Sequence, residues 1–264
     1  MRHLDQARDF KTEWIIPNPI FAPSTSSMSV QPLRETDVEE VLRFLRVRPV
    51  HTVVMASFIR DHGIVSDLNR GSFYGYRDHE GRLEGVALLG HSTLIEARSE
   101  DAMLAFAKKA QANGTSINLI MSEHEDALKF WRYYAGAAEP RLNCEELLFE
   151  TGFPMLVRDC AWDVRTARPE EIEQIAEAHA EVAFIETGSD PMVRDREGFL
   201  ERVARRIELG RTFVVFEDGK LLFKADIIAE ADGIIYLEGI YVASERRGQG
   251  IASTCLSRLT LMLL

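Results

Sequence analysis

The chain has 264 residues, enough for one large domain or two small ones. Hydrophobic residues make up 46% of it and charged residues 28%, a balance that excludes disorder for the bulk of the chain. The 42 acidic and 31 basic residues give a net charge of −11, so the overall field repels phosphate polyanions and anionic membranes. We therefore expect neither nucleic acid nor a membrane as partner, although a local basic site for one small anion stays open.

Cysteine and histidine usage points to a reducing environment without a metal. Cys144, Cys160 and Cys255 lack C-x-x-C spacing, which argues against a disulfide framework or a structural zinc site. The histidines show no H-E-x-x-H or paired-ligand spacing, so we expect no metal. No apolar run approaches the ~20 residues that span a bilayer, and the first residues lack the apolar core of a signal peptide. These features predict a cytoplasmic protein.

The first part of the chain predicts a tail followed by a mixed unit. Residues 1–31 are rich in proline and serine without periodicity, so we predict a disordered tail. A short strand, a helix capped by Thr36 and a second helix between Pro49 and Gly63 follow. The turn from Asp78 to Gly81 then predicts a hairpin, with a third strand after it.

The segment from Trp162 repeats this order. WDVRTARPEEIEQIAEAH aligns with PLRETDVEEVLRFL, and each reads as a short strand, a turn and a helix with an acidic first turn. A second helix is predicted from Asp195 to Glu208, followed by three strands that turn at Asp218-Gly219 and Asp232-Gly233. Duplication of one unit, with divergence of one copy, explains the repeat.

The segment from Ile234 to Leu264 runs from a strand through a glycine-rich arginine loop into a helix. Gly248 and Gly250 let the backbone approach a ligand without a side-chain clash. Free amides at the start of the helix can point at one phosphate group, helped by the helix dipole. Arg246 and Arg247 add charge-assisted donors. The pattern predicts an anion site.

Apart from a P-loop, which is excluded, this loop has three possible interpretations. No Gly-Lys-Ser/Thr follows it, so it is not a P-loop. As a dinucleotide fingerprint it offers only Gly248-x-Gly250-x-x-Ser253, and it follows hairpins rather than opening a βαβ unit. A glycine-rich turn with solvated arginines and no ligand is the plain structural alternative.

The third interpretation rests on a resemblance of this loop to that of a known protein family. The run from Arg247 to Ala252, RGQGIA, resembles the Arg/Gln-x-x-Gly-x-Gly/Ala acyl-CoA loop of the GNAT superfamily of N-acetyltransferases. The strand Leu237 to Val242 is similar to the family's fourth strand. The resemblance implies an α/β fold of the α+β type, in which two units each have a mixed, mainly antiparallel sheet flanked by helices. Residues 32–157 resemble a degenerate GNAT-like domain, and 158–264 an N-acetyltransferase domain truncated at its carboxyl end.

The resemblance implies acetyl-CoA as the acyl donor and no metal. By position it assigns the pantetheine arm to main-chain groups of Ile240, Tyr241 and Val242. It also assigns CoA binding to the loop residues Arg247, Gly248, Gln249, Gly250, Ile251 and Ala252, with the amides from Gln249 to Ala252 at the pyrophosphate. Gly239 is the expected position of a bulge that exposes ladder groups of the strand to a ligand. The same strand can aim an N–H at the thioester oxygen.

Acyl transfer to an amine requires that the amine lose a proton, because an alkylammonium has a pKa near 10.4. Glu238 is the candidate base, since burial in an apolar strand would raise its pKa. Alternatively, it binds a cationic substrate or caps a neighbouring strand. Glu186 and Asp190, in the loop between the two helices of this unit, either line the amine site or are solvated charges.

The function expected from the resemblance is acetyl-CoA-dependent N-acyl transfer to a small-molecule or protein amine. The family pattern continues with a strand, a helix and two more strands, whereas this sequence ends at Leu264. A non-catalytic acyl-CoA-binding or scaffolding module is therefore the alternative. The last helix is apolar on nearly every face, from Leu256 to Leu264, which predicts self-association through this end.

Overall fold

The computed structural model describes residues 30–152 and 159–264. Most of the predicted tail, and the predicted boundary between residues 157 and 158, lie outside these ranges. The first strand begins at Val30, so the predicted tail, 1–31, extends two residues too far. Val30 pairs with Tyr76 of a neighbouring strand, a contact that local composition does not reveal.

The first unit has the predicted order of strand, two helices and hairpin. In chain order its elements are β1 (Val30–Pro32), α1 (Val38–Leu45), α2 (Pro49–His62), β2 (Gly71–Arg77), β3 (Leu83–Gly90), β4 (Ser92–Ala97), α3 (Glu100–Ala112), β5 (Leu119–Met121) and α4 (His124–Ala135). The strands follow the sheet order β1-β2-β3-β4-β5. Among the described residues, only β4 and β5 pair in parallel.

Thr36 does not cap α1, contrary to the prediction. A 3₁₀ turn, Glu35–Asp37, precedes the helix, and Asp37 Oδ2 accepts a hydrogen bond of 2.8 Å from the Arg34 amide. The carboxylate of Asp37 therefore satisfies the amide at the start of the turn.

The second unit repeats the order, and its last two strands are longer than the corresponding strands β3 and β4 of the first unit. Its elements are β6 (Arg165–Thr166), α5 (Ile172–Thr187), α6 (Pro191–Arg194), α7 (Arg196–Glu208), β7 (Thr212–Glu217), β8 (Lys220–Ala231), β9 (Ile234–Val242) and α8 (Ile251–Leu263). The sheet order is β6-β7-β8-β9, with every pair antiparallel. Both predicted hairpin turns are confirmed, because φ is positive at Asp218 (51°) and Gly219 (76°), and at Asp232 (53°) and Gly233 (77°).

The two units share a hydrophobic core. Val53 and Val54 of α2 belong to one buried cluster with Ala229 and Ala231 of β8. Arg211 reinforces this contact by donating to both carboxylate oxygens of Asp61, at 2.5 and 3.0 Å. The β8–β9 hairpin of the second unit is thus braced by α2 of the first.

The last helix, α8, is only partly exposed. Cys255 and Leu259 are completely buried against the second sheet, whereas Leu261, Met262 and Leu264 are exposed. Burial raises the pKa of the Cys255 thiol to about 12, so this cysteine is a packing residue of the apolar core. Self-association through the exposed positions stays a prediction.

Candidate functional site

Strand β9 carries a bulge in its middle. It pairs with β8 at Glu238 and again at Tyr241, so Gly239 and Ile240 together face a single residue of β8. Gly239 has a φ of +61°, which places it in the left-handed region. The bulge predicted at Gly239 is confirmed.

A second constraint requires glycine at this position. A Cβ on Gly239 would lie 3.0 Å from Oδ2 of Asp226 and 3.1 Å from Nζ of Lys224. Both charged groups are buried, so neither can move into solvent to make room. The bulge therefore rests directly on a buried pair of opposite charges.

This pair is the centre of a polar cluster between the sheet and two helices. Nζ of Lys224 donates to Asp226 Oδ2 at 2.5 Å and to the carbonyl oxygen of Gly239 at 2.9 Å. The Thr212 hydroxyl donates to the other oxygen of Asp226 at 2.8 Å. Nη1 of Arg206 lies 3.4 Å from Oδ2 of Asp226. Both oxygens of the carboxylate are thus hydrogen-bonded.

The pKa values of the charged groups in this cluster depend on two effects, burial and the neighbouring charges. Burial alone would raise the pKa of Asp226, but its bond with His179 and the charges of Lys224 and Arg206 hold that pKa well below its usual value. Burial lowers the pKa of Lys224, and the charge of Asp226 opposes this effect. His179, whose Nδ1 is 3.6 Å from Asp226 Oδ2, has a pKa lowered mainly by burial.

This buried cluster is not among the sites predicted from the sequence. The available signal was the run Lys224-Ala225-Asp226, in which two charged residues point to the same face of an otherwise apolar strand. Their partners lie on β7, α5 and α7, and only the fold brings them together.

Glu238 is exposed, so the expectation that it is desolvated is wrong. Side chains along β9 alternate between the two faces of the sheet. Glu238 therefore lies at the surface, near other acidic groups, instead of in the core. The pKa of Glu186 is raised by burial and then by the charge of Glu238. Burial, followed by the charge of Glu238, also raises the pKa of Tyr236. These three side chains form an acidic patch beside the bulge.

The glycine-rich loop connects β9 to α8. Gly248 and Gly250 have φ values of +77° and +80°, and a Cβ on either would meet no atom within 4 Å. The space in front of the loop is therefore open. The first amides of α8, at Ile251 and Ala252, precede the first residue with an intrahelical acceptor, and they lie at the positive end of the helix dipole. The loop has the geometry of an anion site.

Both arginines of the loop are paired with carboxylates. Nη2 of Arg247 donates to Glu181 Oε1 at 2.6 Å, and its Nε donates to the Val242 carbonyl oxygen at 3.0 Å. Arg246 bonds Glu217. An anion that binds Arg247 must therefore compete with Glu181, a residue on α5.

If the loop binds CoA, as the family resemblance implies, Glu181→Gln should strengthen that binding, because it removes the competing charge from Arg247. The pair is partly exposed, so the gain should be at most about 1 kcal/mol. Isothermal titration calorimetry with CoA measures it. Glu177→Gln, one turn earlier on α5 and exposed, is the matched control for loss of one acidic charge. Equal affinities of the two variants would contradict the prediction.

The remaining candidate residues have simpler roles. Asp190 caps α6 by accepting a hydrogen bond of 2.8 Å from the Met192 amide. In the described ranges, no group of three or more histidine, cysteine, aspartate or glutamate side chains could hold a metal ion. No helix of residues 30–152 or 159–264 is both long and apolar enough to cross a bilayer.

Fold and site together define an α+β protein in which a glycine-rich loop with the geometry of an anion site directly follows a bulged strand. Residues 172–260 match the sequence model of the acetyltransferase (GNAT) family, which identifies a GNAT acetyltransferase domain in the second unit. The matched segment begins with α5 and ends in α8, so it includes both the bulge and the loop. The predicted family and fold class are confirmed for this unit.

Solved structures were also compared with the chain. A Drosophila protein, 13% identical, superposes with a TM-score of 0.53 over 89% of this chain and 84% of that one, and it supports the fold across both units. An acetyltransferase of the GNAT family from Colwellia psychrerythraea is 14% identical over 89% of this chain and 85% of its own, with a TM-score of 0.46. The PaiA N-acetyltransferase from Thermoplasma acidophilum in complex with coenzyme A is 16% identical, over 39% and 72% respectively, with a TM-score of 0.34. The comparison with curated proteins found no match.

Proposed function

We propose that the protein is an acetyl-CoA-dependent N-acyltransferase that transfers an acetyl group to the amine of a small molecule or a protein in a ternary complex. The observation that supports this best is the succession of the Gly239 bulge and the open loop at Gly248 and Gly250 within the matched family segment. A bulge frees main-chain groups for a ligand arm, and the loop offers amides to its phosphates. The amino-terminal unit, whose element order repeats, we propose to be a degenerate copy of the same domain.

The proposed acetyl-CoA site uses main-chain groups at the end of β9 and in the loop that follows it. Ile240, Tyr241 and Val242 would bind the pantetheine arm, and the amides from Gln249 to Ala252 would bind the pyrophosphate. Positive φ at both loop glycines and the open space before them support this placement. Arg247 would exchange Glu181 for a phosphate oxygen.

The proposed acceptor site is the acidic patch beside the bulge, formed by Glu186, Tyr236 and Glu238. An alkylammonium is attracted to these carboxylates, and Glu238 takes its proton directly or through water. The neutral amine then attacks the thioester carbon and the carbon–sulfur bond breaks. The attacking nitrogen loses its second proton to solvent, and the CoA thiolate takes one proton from solvent. Exposure of Glu238 agrees with a base that exchanges protons with water.

Two assays test this proposal. Calorimetry with acetyl-CoA, CoA and NAD separates an acyl-CoA site from a dinucleotide site. Release of CoA thiol is then measured with aliphatic polyamines, amino sugars, amino acids and lysine peptides as acceptors. Binding of acetyl-CoA together with amine-dependent thiol release supports the enzyme, and binding without release supports the acyl-CoA-binding module. Binding of NAD but not acetyl-CoA would reject both.

The proposal includes a reducing cytoplasm as the location. All three cysteines are free thiols in the described residues, which supports it. Oxidised thiols in protein isolated from its cells under alkylating conditions would argue against this location.

We expect Arg247→Ala to weaken CoA binding by about 1.5 to 3 kcal/mol if the guanidinium donates directly to a phosphate. Arg202→Ala on α7 is the matched control, because both side chains are 46% exposed and each pairs with one carboxylate. Calorimetry on both variants at the same ionic strength measures the difference. The same affinity in both would remove Arg247 from the acetyl-CoA site.

A further inference from the structure

The buried charges beneath the bulge have no role in the function proposed so far. We propose that Lys224, anchored by Asp226, is a positioning residue that holds and polarises the peptide group between Gly239 and Ile240. The amide of Ile240 is thereby aimed at the thioester oxygen as a strengthened hydrogen-bond donor. This inference rests on the proposed function and adds to it a residue of β8 that does not touch the ligand.

The first support is the fixed position of the ammonium group. Lys224 is 0% and Asp226 1% exposed, and their side chains meet at 2.5 Å. Asp226 is itself held by the Thr212 hydroxyl and flanked by His179 and Arg206. An ammonium that is buried among so many fixed partners has one stable location, and that location is 2.9 Å from the Gly239 carbonyl oxygen.

The second support is the geometry of the peptide group. No cis peptide bond occurs in residues 30–152 and 159–264. In a planar trans peptide the carbonyl and the N–H point in opposite directions. Because the oxygen of Gly239 points at the buried Lys224, the N–H of Ile240 points away from the buried cluster. Withdrawal of electron density by the ammonium strengthens that N–H as a donor.

The third support is that stability alone does not account for this arrangement. Desolvation of a buried ion pair costs several kcal/mol, and apolar residues of the same volume are often at least as stabilising. A positive charge directed at one carbonyl of a bulge, however, changes the chemistry of the adjacent amide. In acyl transfer, a preorganised donor to the developing oxyanion is among the largest contributions to rate.

The test replaces both charges together in the full 264-residue chain. Lys224→Met/Asp226→Leu removes both fully buried charges. Arg206 loses its carboxylate partner but is 24% exposed and can be solvated, so the variant is expected to fold. It should bind CoA as the wild type does, because the loop is unchanged, but lose the preference for acetyl-CoA over CoA. With an amine that the wild type acetylates, kcat should fall by about 10-fold or more, with little change in the KM of the amine.

The matched control removes a different ion pair of the same unit. Arg165 and Glu171 meet at 2.6 Å, are 25% and 12% exposed, and lie at the β6 end of the sheet, away from the bulge. Arg165→Met/Glu171→Leu should keep the preference for acetyl-CoA. If Lys224→Met/Asp226→Leu does not unfold cooperatively, Lys224→Gln/Asp226→Asn takes its place, because it removes both charges but keeps polar side chains, and it should lose the preference in part.

Each outcome decides one question. A folded Lys224→Met/Asp226→Leu variant, or Lys224→Gln/Asp226→Asn in its place, that keeps the acetyl-CoA preference and the wild-type kcat overturns the inference. Equal wild-type affinities for CoA and acetyl-CoA also overturn it, because Ile240 then recognises no thioester. A wild type that binds neither compound instead contradicts the proposed function itself, so the two failures are distinguishable.

Discussion

Gly250→Asp should abolish measurable CoA binding, an expected loss of at least 100-fold, or about 2.8 kcal/mol. Gly250 precedes α8 with φ at +80°, and the space beside its Cα is open toward the proposed ligand. An aspartate there places a negative charge where the pyrophosphate would bind and offers its carboxylate to the same amides. The positive φ strains an aspartate by about 1 to 2 kcal/mol, which is well below the stability of a whole domain. The loss of binding should therefore occur without unfolding.

The matched control is Gly219→Asp in the β7–β8 turn. Gly219 has nearly the same φ, +76°, and a Cβ there also meets no atom within 4 Å. The two variants carry the same strain and the same added charge. Calorimetry with CoA and thermal unfolding of both should show equal stability and a loss of binding in Gly250→Asp alone. Wild-type affinity in Gly250→Asp would remove the basis for placing the pyrophosphate at this loop.

Much of the fold was predictable because its signals are local. Pro49 and Gly63 bound α2 as expected, and both Asp-Gly dipeptides form turns with positive φ. Helix α3 is absent from the sequence analysis although Ser99 caps it, with Oγ 3.3 Å from the Ala102 amide. Its buried face consists mostly of alanines, which give a weak hydrophobic period.

The candidate site also has one part that was predictable from the sequence and one part that was not. The loop at Gly248 and Gly250 could be predicted because a short run of sequence specifies both its backbone and its chemistry. The Lys224–Asp226 cluster could not, because its partners are separated along the chain and only the folded sheet and helices assemble them. Glu238 shows the converse error: an apolar strand predicted burial, but tertiary packing leaves that side of β9 at the surface.

Lys224→Met should lower the free energy of unfolding by about 3 to 5 kcal/mol at pH 7, because it leaves Asp226 charged and without its buried partner. Adding Asp226→Leu should restore most of this loss, since the second change removes the uncompensated charge. Urea denaturation of wild type, single and double variants measures both effects. A single variant as stable as the wild type would show that Arg206 and Thr212 suffice to hold the carboxylate.

The difference in the free energy of unfolding between the wild type and Lys224→Met should become smaller as the pH falls from 7 to 4. In the wild type, the pKa of Asp226 is held below the ordinary 3.8, so its stabilising contribution is present above that pH and is lost only below it. In the variant, loss of the ammonium raises this pKa, so the folded state takes up a proton first and gains stability relative to the wild type. Protonation of His179 should reduce the difference further. Its Nδ1 lies 3.6 Å from the Asp226 carboxylate, so protonated His179 supplies a cation in place of Lys224, beside Arg206 and Thr212. Urea denaturation at pH 7, 5.5 and 4 tests this, and a difference that stays constant or widens toward pH 4 would contradict a charged Asp226 as the source of the instability.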